Sequence, residues 1–242
     1  MAKTLIDKAV PRIMAVEVFD SCGADGAAAG TDGKIDEIRV TMSEPIDDTT
    51  IGAGEFKFGG TNLVFRPAVS AKHGKIDAPD DQFITLVNET PANQFANTHI
   101  NGRDLTVAAD AVNDRAAVAN KNPAQTILAD NIIDLALPFL HTIETIDNNT
   151  NGKIDYIKFS FSEPVKDSTY INKPPSVTTN GDGAGNIGTL ITTGLVNPGA
   201  PNADVINANN DIAFLRITEN TTAYSSGVTG DLNCADGMIQ DM

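Results

Sequence analysis

The chain contains one stretch of sequence twice, and this repeat limits the fold more than any other feature. Ile6-Asp7-Lys8-Ala9-Val10-Pro11 returns as Ile133-Asp134-Leu135-Ala136-Leu137-Pro138, an offset of 127 residues (Asp7 to Asp134). Gly33-Lys34-Ile35-Asp36 returns as Gly152-Lys153-Ile154-Asp155, and Ser43-Glu44-Pro45 as Ser162-Glu163-Pro164, at an offset of 119 (Ser43 to Ser162). The first copy therefore carries eight extra residues in the loop that starts at Asp20. Further on, Asp104-Leu105 matches Asp231-Leu232 and Asp114 matches Asp241, again at 127 (Asp104 to Asp231). Blocks repeated in one order at consistent offsets mean a duplicated structural unit, each copy with its own core.

Within each copy the signals are those of strands. Ile38, Val40 and Met42 alternate with Arg39 and Thr41, as Ile157, Phe159 and Phe161 do with Lys158 and Ser160. That period of two marks a half-buried strand. Ile13 to Phe19 and Leu140 to Ile146 read as the strands before them. Pro45 and Pro164 end the second strand, since proline cannot donate to the ladder. Phe56 and Phe58 flank Gly59-Gly60 with Leu63 to Phe65, a hairpin pattern. Phe83 to Val87 and Ile212 to Ile217 are further strands, while Asn172 to Gly188 and Val196 to Asn210 read as loops. Short strands between Gly, Asn, Asp and Pro clusters predict an all-β chain of two tandem β-sandwich domains. The expected division is a linker at 1–11, the first repeat at 12–130, a linker at 131–138 and the second repeat at 139–242.

The second copy stops at Met242, level with Arg115, and so has no counterpart of Ala124 to Leu128, the last strand expected in the first. The first copy opens with the same segment that joins the two. Both ends read as cuts in a longer array, although the N-terminus has no apolar stretch of secretory-signal type. An unpaired sheet edge in the second repeat invites strand addition from another chain.

The run from Asp147 to Asp155, the apolar strand after it and Ser162-Glu163-Pro164-Val165 resemble the bacterial Ig-like repeats of surface-layer and large adhesin-type proteins. The resemblance covers both copies nearly end to end. It implies two immunoglobulin-like sandwiches, the second lacking its last strand, in a secreted or cell-surface protein. It also implies calcium in the loop after the first strand. The eight-residue insertion between Asp20 and Gly33 is the departure from that pattern.

The residues themselves support the calcium reading. Calcium takes six to eight oxygen ligands from carboxylates, amide oxygens and carbonyls. Asp147, Asn149 and Asn151 fall at the first, third and fifth positions of an EF-type loop, Gly152 at the turn, the Lys153 carbonyl next and Asp155 at the ninth. Lys158 stands where an EF-hand has glutamate, and strands rather than helices flank the loop. Two charged ligands set an expected affinity on the order of 10⁻⁴–10⁻³ M. In the first repeat Asp32 and Asp36 match Asn151 and Asp155, with Asp20 and Asp25 to complete the site. The alternative for both loops is a solvated turn whose Asn and Asp oxygens bond nearby backbone N–H groups. In a sandwich the loop of the first repeat lies beside the linker, which brings Asp134 toward a metal there. A Cys22–Cys234 contact across the junction fits the same geometry.

Composition narrows the partners. A formal charge of −15 disfavours nucleic acid and anionic membrane, both of which need a basic face. No run of apolar residues is long enough for a spanning helix, so membrane insertion is not expected. Two cysteines make neither a disulfide framework nor a Cys-rich metal site. Gly183 to Gly188 fits a dinucleotide glycine pattern but lacks the strand–turn–helix setting. His73, His99 and His141 form no catalytic pattern, so no catalytic residue is assigned. The expected function is a non-catalytic structural or adhesive module whose partners are neighbouring repeats, surface glycans or other surface proteins. The alternative is a carbohydrate-binding or accessory domain of a secreted hydrolase; sugar platforms rely on exposed aromatics, and this chain has no Trp and three Tyr, Tyr156, Tyr170 and Tyr224.

Overall fold

A computed structural model describes residues 6–20, 33–65, 78–87, 98–100, 102–166, 176–179, 189–191, 210–218 and 230–233. The chain divides into two compact units, Met1–Ala136 and Leu137–Met242. The described residues form β-strands in several sheets, with short 3-10 turns at Asp48–Thr50 and Ala129–Asn131 and no α-helix. No helix among them is long and apolar enough to cross a membrane.

The first unit contains β1 (Ile13–Phe19), β2 (Glu37–Met42), β3 (Ile46–Asp47), β4 (Phe56–Phe58), β5 (Thr61–Asn62), β6 (Val64–Phe65), β7 (Phe83–Val87), β8 (Leu105–Val107), β9 (Asn113–Asp114), β10 (Gln125–Ile127) and β11 (Ile133–Asp134). One sheet runs β11-β1-β2-β7-β6 and another β10-β8-β4-β5, with β3 and β9 paired apart from them. Ile13, Val16, Val18, Ile38, Val40, Ile84 and Leu86 from the first sheet share one core with Phe56, Phe58, Leu105 and Val107 from the second. Alternation puts these residues on one face, and two faces closing on each other give a sandwich core. Each such side chain, fully buried, is worth roughly 1.5–3 kcal/mol.

The outer face of β2 departs from simple alternation. Glu37 and Arg39 are buried too, 3.5 Å apart, with the Arg39 guanidinium 5.5 Å from the centre of the Phe19 ring. The glycine hairpin also differs from the expected one. Gly59 and Gly60 have φ of +54° and +81°, so a two-residue turn joins Phe58 to Thr61. The second arm is therefore Thr61–Asn62. The chain leaves that sheet at buried Leu63, and Val64–Phe65 pairs with β7 in the other sheet.

The second unit contains β12 (Leu140–Ile146), β13 (Tyr156–Phe161), β14 (Ser176–Thr179), β15 (Thr189–Ile191), β16 (Ile212–Thr218) and β17 (Gly230–Asn233). Its larger sheet runs β12-β13-β16-β15, and β14 pairs with β17. Strand β14 falls inside the stretch whose composition read as loop. Ile154, Ile157, Phe159, Phe161, Val165, Ala213, Phe214 and Leu215 are buried.

The two units repeat each other in register. The β1–β2 ladder shifts between Ile13 and Ala15, and the β12–β13 ladder shifts between Leu140 and Thr142. Such a bulge turns one residue out of the alternation: Met14 in one case and His141 in the other, both exposed. Ser43 Oγ accepts from the Arg12 N–H at 3.1 Å, and Ser162 Oγ from the Phe139 N–H at 2.9 Å. The Ser43 N–H returns a bond to the Arg12 carbonyl, and that of Ser162 to the Phe139 carbonyl, both at 2.8 Å. Leu105 stands opposite Phe58 while Leu232 stands opposite Val177, so the block at offset 127 meets a strand at offset 119 (Phe58 to Val177).

Candidate cation-binding sites

The loops after β1 and β12 share a frame. The Asp36 N–H bonds the Phe19 carbonyl at 3.0 Å, and the Asp155 N–H bonds that of Ile146 at 2.8 Å. Asp20 Oδ2 accepts from the Gly33 N–H at 2.9 Å, as Asp147 Oδ2 does from the Gly152 N–H at 2.6 Å. Both glycines lie in the left-handed region, at φ of +81° and +82°, which glycine enters without steric cost. Ile35 and Ile154 are buried behind them.

In the second unit the loop's acceptors are arranged by its own backbone. Asp147 Oδ1 and Asn149 Oδ1 both accept from the Asn151 N–H at 3.1 Å. Asn151 Oδ1 accepts from the Lys153 N–H at 2.9 Å. Asp155 Oδ2 takes the Asn148 N–H at 2.7 Å and the Asn149 N–H at 3.3 Å. These hydrogen bonds link Asp147, Asn149, Asn151, Lys153 and Asp155 within one loop, with Lys153 taking part through its N–H. The bonds are those of the solvated-turn alternative, in which Asn and Asp oxygens accept from nearby backbone N–H groups. Lys158 is drawn away to Glu144 across the β12–β13 ladder, at 2.9 Å. In the first unit Asp20 and Asp36 flank the corresponding loop, while Asp25 and Asp32 lie outside the described residues. Cys22, Cys234, Tyr170 and Tyr224 lie outside them as well.

A different group of carboxylates comes together in space. Oxygens of Asp7, Glu44 and Asp114 all lie within 4.8 Å of one another, an arrangement that could hold a metal ion. Asp7 belongs to the segment before β1, Glu44 to the turn after β2, and Asp114 to β9, held opposite Ile46 of β3. Asp114 is buried. Its Oδ1 accepts from the Asn120 N–H at 2.8 Å and the Ala116 N–H at 3.1 Å, and its Oδ2 from Asn120 Nδ2 at 2.7 Å. Burial alone would raise the Asp114 carboxyl, but these hydrogen bonds outweigh it and hold it below its ordinary value. Glu44 is pushed the other way, first by burial and then by the charges of Asp114 and Asp7. One fixed anion beside a carboxyl that resists ionising is relieved by a proton or by a cation.

Sequence reasoning passed over this cluster because its members lie far apart along the chain. Yet a signal was there. Asp7, Glu44 and Asp114 each fall in a repeated block, matching Asp134, Glu163 and Asp241. No protein-family model matches the chain, and neither a curated protein nor a solved structure was found to be similar to it.

Proposed function

We propose that the chain is a non-catalytic structural or adhesive segment of a secreted or cell-surface protein, made of tandem immunoglobulin-like modules stabilised by calcium. The observation that carries this reading is the repeated strand order. In the first unit β1-β2-β7-β6 follows the first-second-fifth-fourth order of one immunoglobulin sheet, and β10-β8-β4-β5 the order of the other. In the second unit β12-β13-β16-β15 follows the same order, and β14–β17 supplies the central pair of the facing sheet. Modules copied with their register intact suit a spacer, in which each domain folds on its own.

The cation reading rests on oxygen chemistry. Both candidate sites offer hard oxygen donors, which select calcium or magnesium over softer metals. Calcium tolerates irregular coordination, as an open loop of carboxylate, amide and carbonyl oxygens provides. The Lys153 carbonyl completes the loop set of Asp147, Asn149, Asn151 and Asp155, and Asp20, Asp25, Asp32 and Asp36 form its counterpart.

Calorimetry of the chain in chelator and in millimolar calcium tests the proposal. A ligand at 100 times its Kd adds about 2.7 kcal/mol to the stability of the folded state it binds. Calcium should raise the melting temperature, and Asp147→Asn with Asp155→Asn should remove that part of the rise which belongs to the second unit. Identical melting curves in chelator and in calcium would falsify the calcium reading.

A further inference from the structure

The linker after the first unit is also a strand of it. Ile133 and Asp134 lie parallel to Glu17 and Val18 at the open edge of β1, and the Leu135 N–H donates to the Val18 carbonyl at 3.0 Å. Strand β12 repeats β1, but it ends its sheet with no described strand beyond it. Residues His141 to Thr145 of β12 are exposed. Val16 in β1 is fully buried, whereas its counterpart Ile143 is 40% exposed. An edge of this kind is a template for another strand.

The chain also carries a second copy of the strand that fits such an edge. Ile6-Asp7-Lys8-Ala9-Val10-Pro11 has the Ile, Asp, Ala and Pro of the β11 segment at the same spacing. Its local conformation matches: Asp7 Oδ1 accepts from the Ala9 N–H at 2.9 Å, as Asp134 Oδ1 does from the Ala136 N–H at 3.1 Å. Ile6 is 69% exposed.

We propose that Ile6 to Lys8 of one molecule adds as a parallel strand to the edge of β12 in a second copy of the chain. The register follows from the β1–β11 pair. Ile6 stands opposite Glu144, Asp7 opposite Thr145, and the Lys8 N–H donates to the Thr145 carbonyl. Donor and acceptor are different surfaces, so the contact is head-to-tail and propagates rather than closing into a two-fold dimer. With a charge of −15 per copy, self-repulsion opposes the contact, and added salt should strengthen it.

The test uses the full chain in chelator, which separates it from the cation reading. In a Cys22→Ser, Cys234→Ser background, one preparation carries Ile6→Cys and the other Glu144→Cys. Mixed under mild oxidation they should give a disulfide-linked heterodimer, and pairing Ile6→Cys with Thr142→Cys, out of register, should give little. Lys8→Pro removes the donor on an exposed segment outside the cores and should lower the yield about tenfold. Sedimentation velocity of the unmodified chain should show association rising between roughly 10 µM and 1 mM, a weak-contact range. The proposal fails if the chain stays monomeric throughout, if both registers cross-link equally, or if Lys8→Pro changes nothing. It fails too if Glu144→Cys links mainly to itself, which would mean antiparallel pairing of two β12 edges.

Discussion

Single residues carry the electrostatics of this molecule, and Glu44 and Asp114 do so with opposite signs. Glu44 has its carboxyl raised above 4.5, by burial first and then by Asp114 and Asp7. In the window just above 4.5 the folded state holds more protons than the unfolded state, so stability should fall as pH rises through it. Asp114 lies below 3.8, so its contribution is present above that value and is lost as pH falls through the folded value. Thermal melts in chelator between pH 3 and pH 7, compared with Glu44→Gln, should separate the two. The variant should flatten the upper slope and raise the melting temperature at pH 7 by roughly 1–3 °C. It should also shrink the calcium increment of the first unit. Asn122 gives a third test. It is buried, its Oδ1 accepts from the Val112 N–H at 2.7 Å, and its Nδ2 donates to the Ala108 carbonyl at 2.8 Å. Asn122→Ala strands these backbone groups and should cost about 2–4 kcal/mol by denaturant unfolding.

Among the elements, the strands were legible where one face is buried and the other wet. β13 shows that alternation without exception, half-buried and buried residues taking turns from Tyr156 to Phe161. β2 obscured it, because buried Glu37 and Arg39 sit on the face that the pattern assigns to solvent. The hairpin at Gly59-Gly60 was legible as a turn but not as a register. A two-residue turn hands pairing to Thr61–Asn62, and nothing local announces that Leu63 enters the core while Val64 joins another sheet. Gly60 has φ of +81° with open space where a Cβ would sit. Gly60→Ala should therefore cost about 1–2 kcal/mol of backbone strain alone. Gly59→Ala adds a 3.2 Å approach to Arg103 Cγ and should cost more. Chemical denaturation of the two variants ranks them.

For the whole molecule, each unit has its own described buried residues, so damage should stay local. Phe58 is fully buried in the first unit, and Phe58→Ala should cost about 3–5 kcal/mol there. Calorimetry should then show one transition moved down and the other unmoved. A single transition shifting as a whole would mean that the units unfold together.

The sequence by itself determined the duplication, the all-β character, the first strand of each copy and the acidic loop after it. Repeated blocks and period-two alternation are local records of a buried face, and Asp and Asn spacing records a turn. Only the tertiary structure decided that Asp7, Glu44 and Asp114 meet. It alone also made the presumed linker residues Ile133 and Asp134 an edge strand on β1. Both depend on contacts between residues far apart in the chain. Such contacts are set when two sheets close over one core, and no local pattern of residues records them.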